Sequence, residues 1–298
     1  MSHPAAPTPA LRVLALASLV VMAMLWGSTF FSMKGLTGRM PVPDLLAVRF
    51  LVAALATGLI GWKAWRMDLA TLARGVVIGL IYGTAQLVQT TGLAHTAASV
   101  SGFITGLYVV ITPFLAAWLL RERILPATWL AVLLATLGLG LLTLDLDAGI
   151  RVGVGELLTL VSAVMYAGHI VAVDRWSTGA TAMSLTVVQM TTVALVCTLA
   201  ALPGGIALPP SASDWGLMLY LALAAGALPI FLQVWAQSVV ESSTAAVLMA
   251  GEPVWAAFFA VLLGGELLSW QMVVGGGLTV VAMVLVIMAP RLRAAVAA

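Results

Sequence analysis

Charge is what this sequence has least of. Only 8% of its 298 residues are Asp, Glu, Lys or Arg, while 62% are hydrophobic and the mean hydropathy is +1.14. A soluble domain carries about 25% charged residues, so this chain has no means of covering a water-facing surface. Cysteine is nearly absent too. Cys197 stands alone, which excludes a disulfide framework and a cysteine-based metal site. A zinc centre needs three or four ligands, and one histidine inside an apolar run with one cysteine does not supply them. The net charge of +2 comes from basic residues scattered through short loops, a distribution that offers nucleic acid no patch. Nothing resembles a phosphate-binding loop, so neither cofactor nor metal is expected.

What is there is a series of apolar runs. A bilayer core takes roughly 20 apolar residues per helix, and only helices or closed barrels span it. The runs do not alternate in polarity, so they read as helices, near 11–33, 44–62, 72–94, 98–120, 126–144, 153–174, 181–202, 214–238, 243–263 and 269–289. Residues 1–10 (MSHPAAPTPA) read as a disordered tail, and residues 291–298 as a second tail. The first apolar run is too long for a typical cleaved signal peptide, and no clear cleavage site follows it. With both termini cytoplasmic, nine Lys and Arg fall in cytoplasmic segments and three on the opposite side. That bias predicts this orientation, and it requires an even number of spans.

The chain also resembles itself. A shift of 140 residues lays Trp26 on Tyr166 and Arg49 on Gln189. After a slip of four, a shift of 144 lays Gln89 on Gln233, Ser99 on Ser243, Tyr108 on Glu252 and Glu122 on Glu266. Five spans per copy is an odd number, so the second copy enters from the opposite side. The expected fold is therefore an all-α membrane protein of ten transmembrane helices. They form two inverted five-helix repeats, 11–147 and 148–290, around a central cavity, an architecture that serves alternating access.

Particular residues carry a family resemblance. "LWGSTFFSMK", then Pro41 followed by the "RF" of Arg49 and Phe50, and later "GEPVWAAFFAVLLGGE" resemble the ten-helix EamA-type carriers of the drug/metabolite transporter superfamily. Within it the chain looks most like the YddG amino-acid exporters. The resemblance implies a secondary transporter or facilitator that exports small organic metabolites, amino acids first, from a cell inner membrane. Other metabolites and cationic drugs are the alternatives within the same superfamily. The bilayer is the expected partner, along with a homodimer through the last helices. The first repeat departs from the pattern, because Tyr108 stands where the second has its glutamate.

Polar side chains inside spans are costly and usually face the bundle interior. Tyr82, Gln86 and Gln89 share one helical face, as do Ser101, Thr105, Tyr108 and Thr112 on the next span. Tyr166 shares a face with Ser162 and His169, and Gln233 lies one turn from Gln237. Serine and threonine hydroxyls can bond back to their own helix, and any of these groups can simply hold helices together. The amides are harder to satisfy that way. Aligned faces that mix aromatics with amides suit a small-molecule cavity, with Trp26 and Trp235 as candidate walls. His169 fits a hydrogen-bonded core position as readily as a ligand contact. Gly75, Gly79 and Gly83, four apart, read as a close-packing stripe. Arg49 reads as a snorkelling or ion-paired residue near a span end, so no basic side chain is expected at mid-depth to receive phosphates.

One carboxylate remains. Glu252 lies deep in an apolar run, between Gly251 and Pro253. Proline lacks the N–H that would continue the helix, so a local break is expected there. A carboxylate beside a break is suited to receive a substrate ammonium or a proton. A structural carboxyl bonded to a neighbouring helix is the alternative. Two other classes find little support. An intramembrane aspartyl enzyme needs two carboxylates at bilayer depth, whereas the six aspartates lie in loops or near span ends. No nucleophile motif appears, and a channel would call for rings of like charge or a carbonyl filter. The candidate substrate-binding set is thus Trp26, Tyr82, Gln86, Gln89, Tyr108, Tyr166, His169, Gln233, Trp235 and Glu252.

Overall fold

The computed structural model describes residues 8–29, 36, 38–96, 98–121, 124–143, 153–264 and 267–297, and the described residues are helical throughout with short connections. In chain order the α-helices are α1 (Pro9–Gly27), α2 (Val42–Ile60), α3 (Leu69–Leu93), α4 (Ala98–Gly106), α5 (Tyr108–Leu115), α6 (Pro126–Thr143), α7 (Val154–Trp176), α8 (Ala182–Ala201), α9 (Ala212–Ala222), α10 (Leu228–Ala236), α11 (Ser242–Met249), α12 (Glu252–Gly264) and α13 (Trp270–Ala297). Local chemistry starts several of them. The Thr8 hydroxyl accepts from the Leu11 amide and Pro9 opens the first turn, so α1 begins inside the expected N-terminal tail. Asp68 caps α3 by accepting from the Thr71 amide at 2.8 Å. Hydrogen bonds from Thr71 hold the Asp68 carboxyl below the usual carboxylate range.

Eight helical stretches among the described residues are long and apolar enough to cross a membrane, and Pro126–Leu141 is a shorter apolar helix. The ninth expected span is divided. α11 ends at Met249 and α12 begins at Glu252, with Ala250 and Gly251 between them. The fourth expected span is interrupted in the same way at Leu107, between α4 and α5. Two further irregularities have no counterpart in the sequence pattern. A π-turn, Ala116–Leu120, follows α5, and another, Leu223–Ala227, joins α9 to α10. Glu122, Arg123, Glu266, Lys34 and Arg151 lie outside the described residues.

Element bounds recur at the offset found in the sequence. α4 at 98–106 and α11 at 242–249 are 144 residues apart, and so are the starts of α5 and α12 at Tyr108 and Glu252. α6 and α13 start 144 apart, and α2 and α8 start 140 apart. Packing follows the same correspondence. α2 packs on α8 and α6 on α13; α3 packs on α7 as α1 packs on α10; α5 packs on α7 as α1 packs on α12. The principal contacts thus join one half of the chain to the other.

Close approach is set by glycine. A Cβ on Gly75 would fall 2.7 Å from Val188 Cβ, and one on Gly79 would fall 2.5 Å from Thr192 Cβ and 2.9 Å from the Gln189 carbonyl. The stripe lets α3 lie directly on α8. Two buried clusters result. One gathers Phe50, Tyr82, Met190 and Ile230 from α2, α3, α8 and α10. The other gathers Leu19, Tyr108, Val247 and Ala282 from α1, α5, α11 and α13.

Candidate functional site

Three aromatic side chains, Trp26, Tyr166 and Trp235, pack against both clusters. They mark a seam through the middle of the molecule. Each is partly accessible, as are Gln86, Gln89 and Glu252, so an opening at least as wide as a water molecule reaches them. These side chains border fully enclosed neighbours along the seam, which is the candidate crevice of the molecule.

On one wall a hydrogen-bonded network ties α3, α4 and α7 together. Gln86 Nε2 donates to the Tyr82 hydroxyl at 2.9 Å. The Tyr166 hydroxyl donates to Gln89 Oε1 at 2.8 Å, and Gln89 Nε2 donates to Thr105 Oγ1 at 3.1 Å. The Tyr82 ring meets Tyr166 edge-on at 5.8 Å and Phe50 at 6.3 Å. Behind it stands His169, 4.9 Å from the Tyr82 ring centroid and hydrogen-bonded to Gln189 at 3.1 Å. His169 is only 1% exposed. It supports the tyrosine from the protein side and does not face the crevice.

Gln233 is likewise enclosed. It donates to Gln237 Oε1 at 3.0 Å, and Gln237 donates to the Ile170 carbonyl at 2.8 Å. Gln233 Oε1 has no protein partner, nor have Gln189 Oε1, Thr112 Oγ1 and Thr198 Oγ1 among the described residues. A buried polar atom without a partner is uncommon, and Thr112 lies one turn from Tyr108 on the same helix. Tyr108 itself is buried, as the first residue of α5.

Glu252 is the first residue of α12, where helix N–H groups lack intrahelical acceptors and favour a carboxylate. Pro253 then costs nothing, because its missing N–H falls in the first turn. Gly27 allows α1 to touch this turn: a Cβ there would lie 2.6 Å from Trp255 Cβ and 2.7 Å from the Glu252 carbonyl. Trp26 is thereby brought to the same end of the crevice.

Arg49 departs from expectation. It neither snorkels nor sits near a surface, being 6% exposed in the α2–α8–α9 core. Its Nε donates to the Leu221 carbonyl and its Nη2 to the Ala225 carbonyl, each at 3.0 Å, and the guanidinium lies 5.4 Å from the Phe50 ring centroid. The acceptors are carbonyls at the π-turn between α9 and α10, where a wider turn releases backbone acceptors from their intrahelical bonds. An apolar stretch reading "LALAAGA" carries no sequence sign of this.

A sequence model of the EamA-like transporter family matches residues 13–144 and again 153–288. The chain belongs to the EamA-like transporter family. With its apolar helices, this makes the EamA-like chain a multi-pass membrane protein. An uncharacterized transporter of Archaeoglobus fulgidus is 28% identical over 278 residues, spanning 92% of this chain and 86% of the relative. A protein crystal structure 18% identical in sequence shares the fold, with a TM-score of 0.81 over 93% of this chain and 98% of its own.

Proposed function

We propose that this EamA-like protein is a secondary carrier or facilitator that exports small organic metabolites by alternating access, amino acids with aromatic or other neutral side chains foremost. One observation carries the reading. The seam between the two buried clusters is lined by accessible aromatic rings and amides, with one carboxylate at a helix N-terminus. Such a lining suits a substrate with an apolar side chain and a zwitterionic head.

The inverted arrangement belongs to the same proposal. Ten crossings place the ends of α1, α3 and α8 and the starts of α2, α4, α7 and α9 on one side. The contacts between ends agree with it. Arg39 pairs with Asp214 at 2.7 Å, Asp44 accepts from the Ala207 amide at 3.1 Å, and Thr96 bonds to Glu156; ten crossings put all of these on one side. Ser184 bonding to the Ala64 carbonyl at 3.0 Å and Asp174 to the Ser242 amide at 3.0 Å fall on the other. An inner-membrane location with cytoplasmic termini completes the reading.

The test is counterflow by the purified protein in liposomes, screened across amino acids, nucleosides and cationic drugs. Saturable, trans-stimulated exchange of a neutral amino acid is the expected result. Transport of a nucleotide sugar with no amino acid carried overturns the substrate assignment, and linear, non-saturating flux overturns the carrier.

A further inference from the structure

We propose that the α3–α4–α7 wall of the seam is a carboxylate-binding subsite, in which Gln89 and the hydroxyls joined to it offer unspent donor hydrogens to the anionic head of the substrate. The inference rests on the carrier reading above and assigns the half of the zwitterion that Glu252 does not take.

Gln89 joins two hydroxyls. Tyr166 donates to its Oε1 at 2.8 Å, and its Nε2 donates to Thr105 Oγ1 at 3.1 Å. An amide nitrogen carries two hydrogens and a hydroxyl carries one. The second Gln89 N–H and the Thr105 hydroxyl hydrogen therefore have no acceptor among the described residues. Turning the amide over changes only which hydroxyl is spare: Gln89 Oε1 then accepts from Thr105, and Tyr166 keeps its hydrogen. Gln86 repeats the pattern. Its Nε2 donates to the Tyr82 hydroxyl at 2.9 Å, which leaves one amide hydrogen and the Tyr82 hydroxyl hydrogen unspent.

Thr105 is unlike its neighbours. Thr90, Thr159 and Thr186 each return the hydroxyl hydrogen to the carbonyl four residues back, the ordinary outlet for threonine in a helix. Thr105 bonds to Gln89 instead. Gln86, Gln89, Thr105 and Tyr166 are all partly accessible. So is Gly102, one turn before Thr105 on α4, where a Cβ would meet nothing within 4 Å. Room is thus open beside the threonine hydroxyl.

What the wall lacks is an acceptor. A carboxylate offers acceptors only, and hydrogen bonds to an ionised group are about twice as strong as neutral ones. An ammonium, which can only donate, has few acceptors to meet there and is left to Glu252 on α12.

The experiment measures ligand-induced stabilisation of the detergent-purified full chain by phenylalanine, phenethylamine and 3-phenylpropionate. It compares the wild type with Gln89→Leu, which removes the amide without adding charge, and Gln89→Glu, which keeps its shape and exchanges donors for acceptors. In both variants phenylalanine and 3-phenylpropionate should lose about tenfold or more in apparent affinity. Phenethylamine should hold in Gln89→Leu and hold or gain in Gln89→Glu. If neither variant folds, Gln86→Leu decides. It removes both Gln86 amide hydrogens, leaves the Gln89 bonds in place, and should weaken the two carboxylates about threefold or more with phenethylamine unchanged.

Equal losses for all three probes, carboxylate losses in Gln89→Glu but not in Gln89→Leu, or no binding of either carboxylate by the wild type overturns the proposal. Gln89-dependent binding of 3-phenylpropionate by a protein that carries no amino acid would sink the amino-acid reading and keep the subsite. Phenylalanine counterflow at wild-type affinity in Gln89→Leu would sink the subsite and keep the carrier.

Discussion

Glu252 owes its place to its neighbours. Gly251 packs so tightly that a Cβ would lie 2.8 Å from Met283 Sδ, Pro253 stops the preceding turn, and the carboxylate falls on the first residue of a new helix. The triplet made that break legible in the sequence. Arg49 was not legible, because its ligands are carbonyls 172 and 176 residues downstream in an apolar stretch. The core position that the sequence allowed for His169 is the one observed, while its partner Gln189, on another helix, was not legible. The residue-scale prediction concerns Glu252→Gln, which keeps size and hydrogen bonding and removes the charge. If the carboxylate receives a substrate ammonium, amino-acid counterflow should weaken by about tenfold or more, and an analogue without the ammonium should be spared. Wild-type affinity in the mutant would reduce Glu252 to a helix-terminus residue.

Elements divide by whether their signal is local. The glycine stripe on α3 was readable from its four-residue spacing, and its contact with α8 follows from that. π-turns left no trace, because insertion of one residue into a helix needs no special side chain. Adding a methyl group separates the two kinds of glycine. Gly79→Ala forces α3 off α8, against a carbonyl that cannot rotate away, and should lower stability in detergent melting by about 1–3 kcal/mol. Gly277→Ala on α13 meets nothing within 4 Å and should be neutral or raise stability by up to about 1 kcal/mol through helix propensity. Equal melting of the two variants would remove the stripe from the account of packing.

At the scale of the molecule, the duplicated pattern was readable as a residue offset, while the pairing of α2 with α8 and α6 with α13 required coordinates. Topology is testable directly. In a Cys197→Ser background, single cysteines at exposed His95 and Leu208 should label from outside intact cells. Cysteines at exposed Lys63 and Thr178 should label only after permeabilisation. Thr178 labelling with the His95 set would break the ten-crossing arrangement.

The long separation between Arg49 and its carbonyl ligands also has a consequence for synthesis. Translation at about 5–20 residues per second places roughly 9 to 35 s between the appearance of Arg49 and that of the π-turn that holds it. A lone cation at the centre of a bilayer costs about 2.5–3.5 kcal/mol on insertion scales. Until α9 and the π-turn follow, the Leu221 and Ala225 carbonyls are not there to receive the Arg49 guanidinium. The first half of the chain thus completes its packing around Arg49 only after the second half has been made.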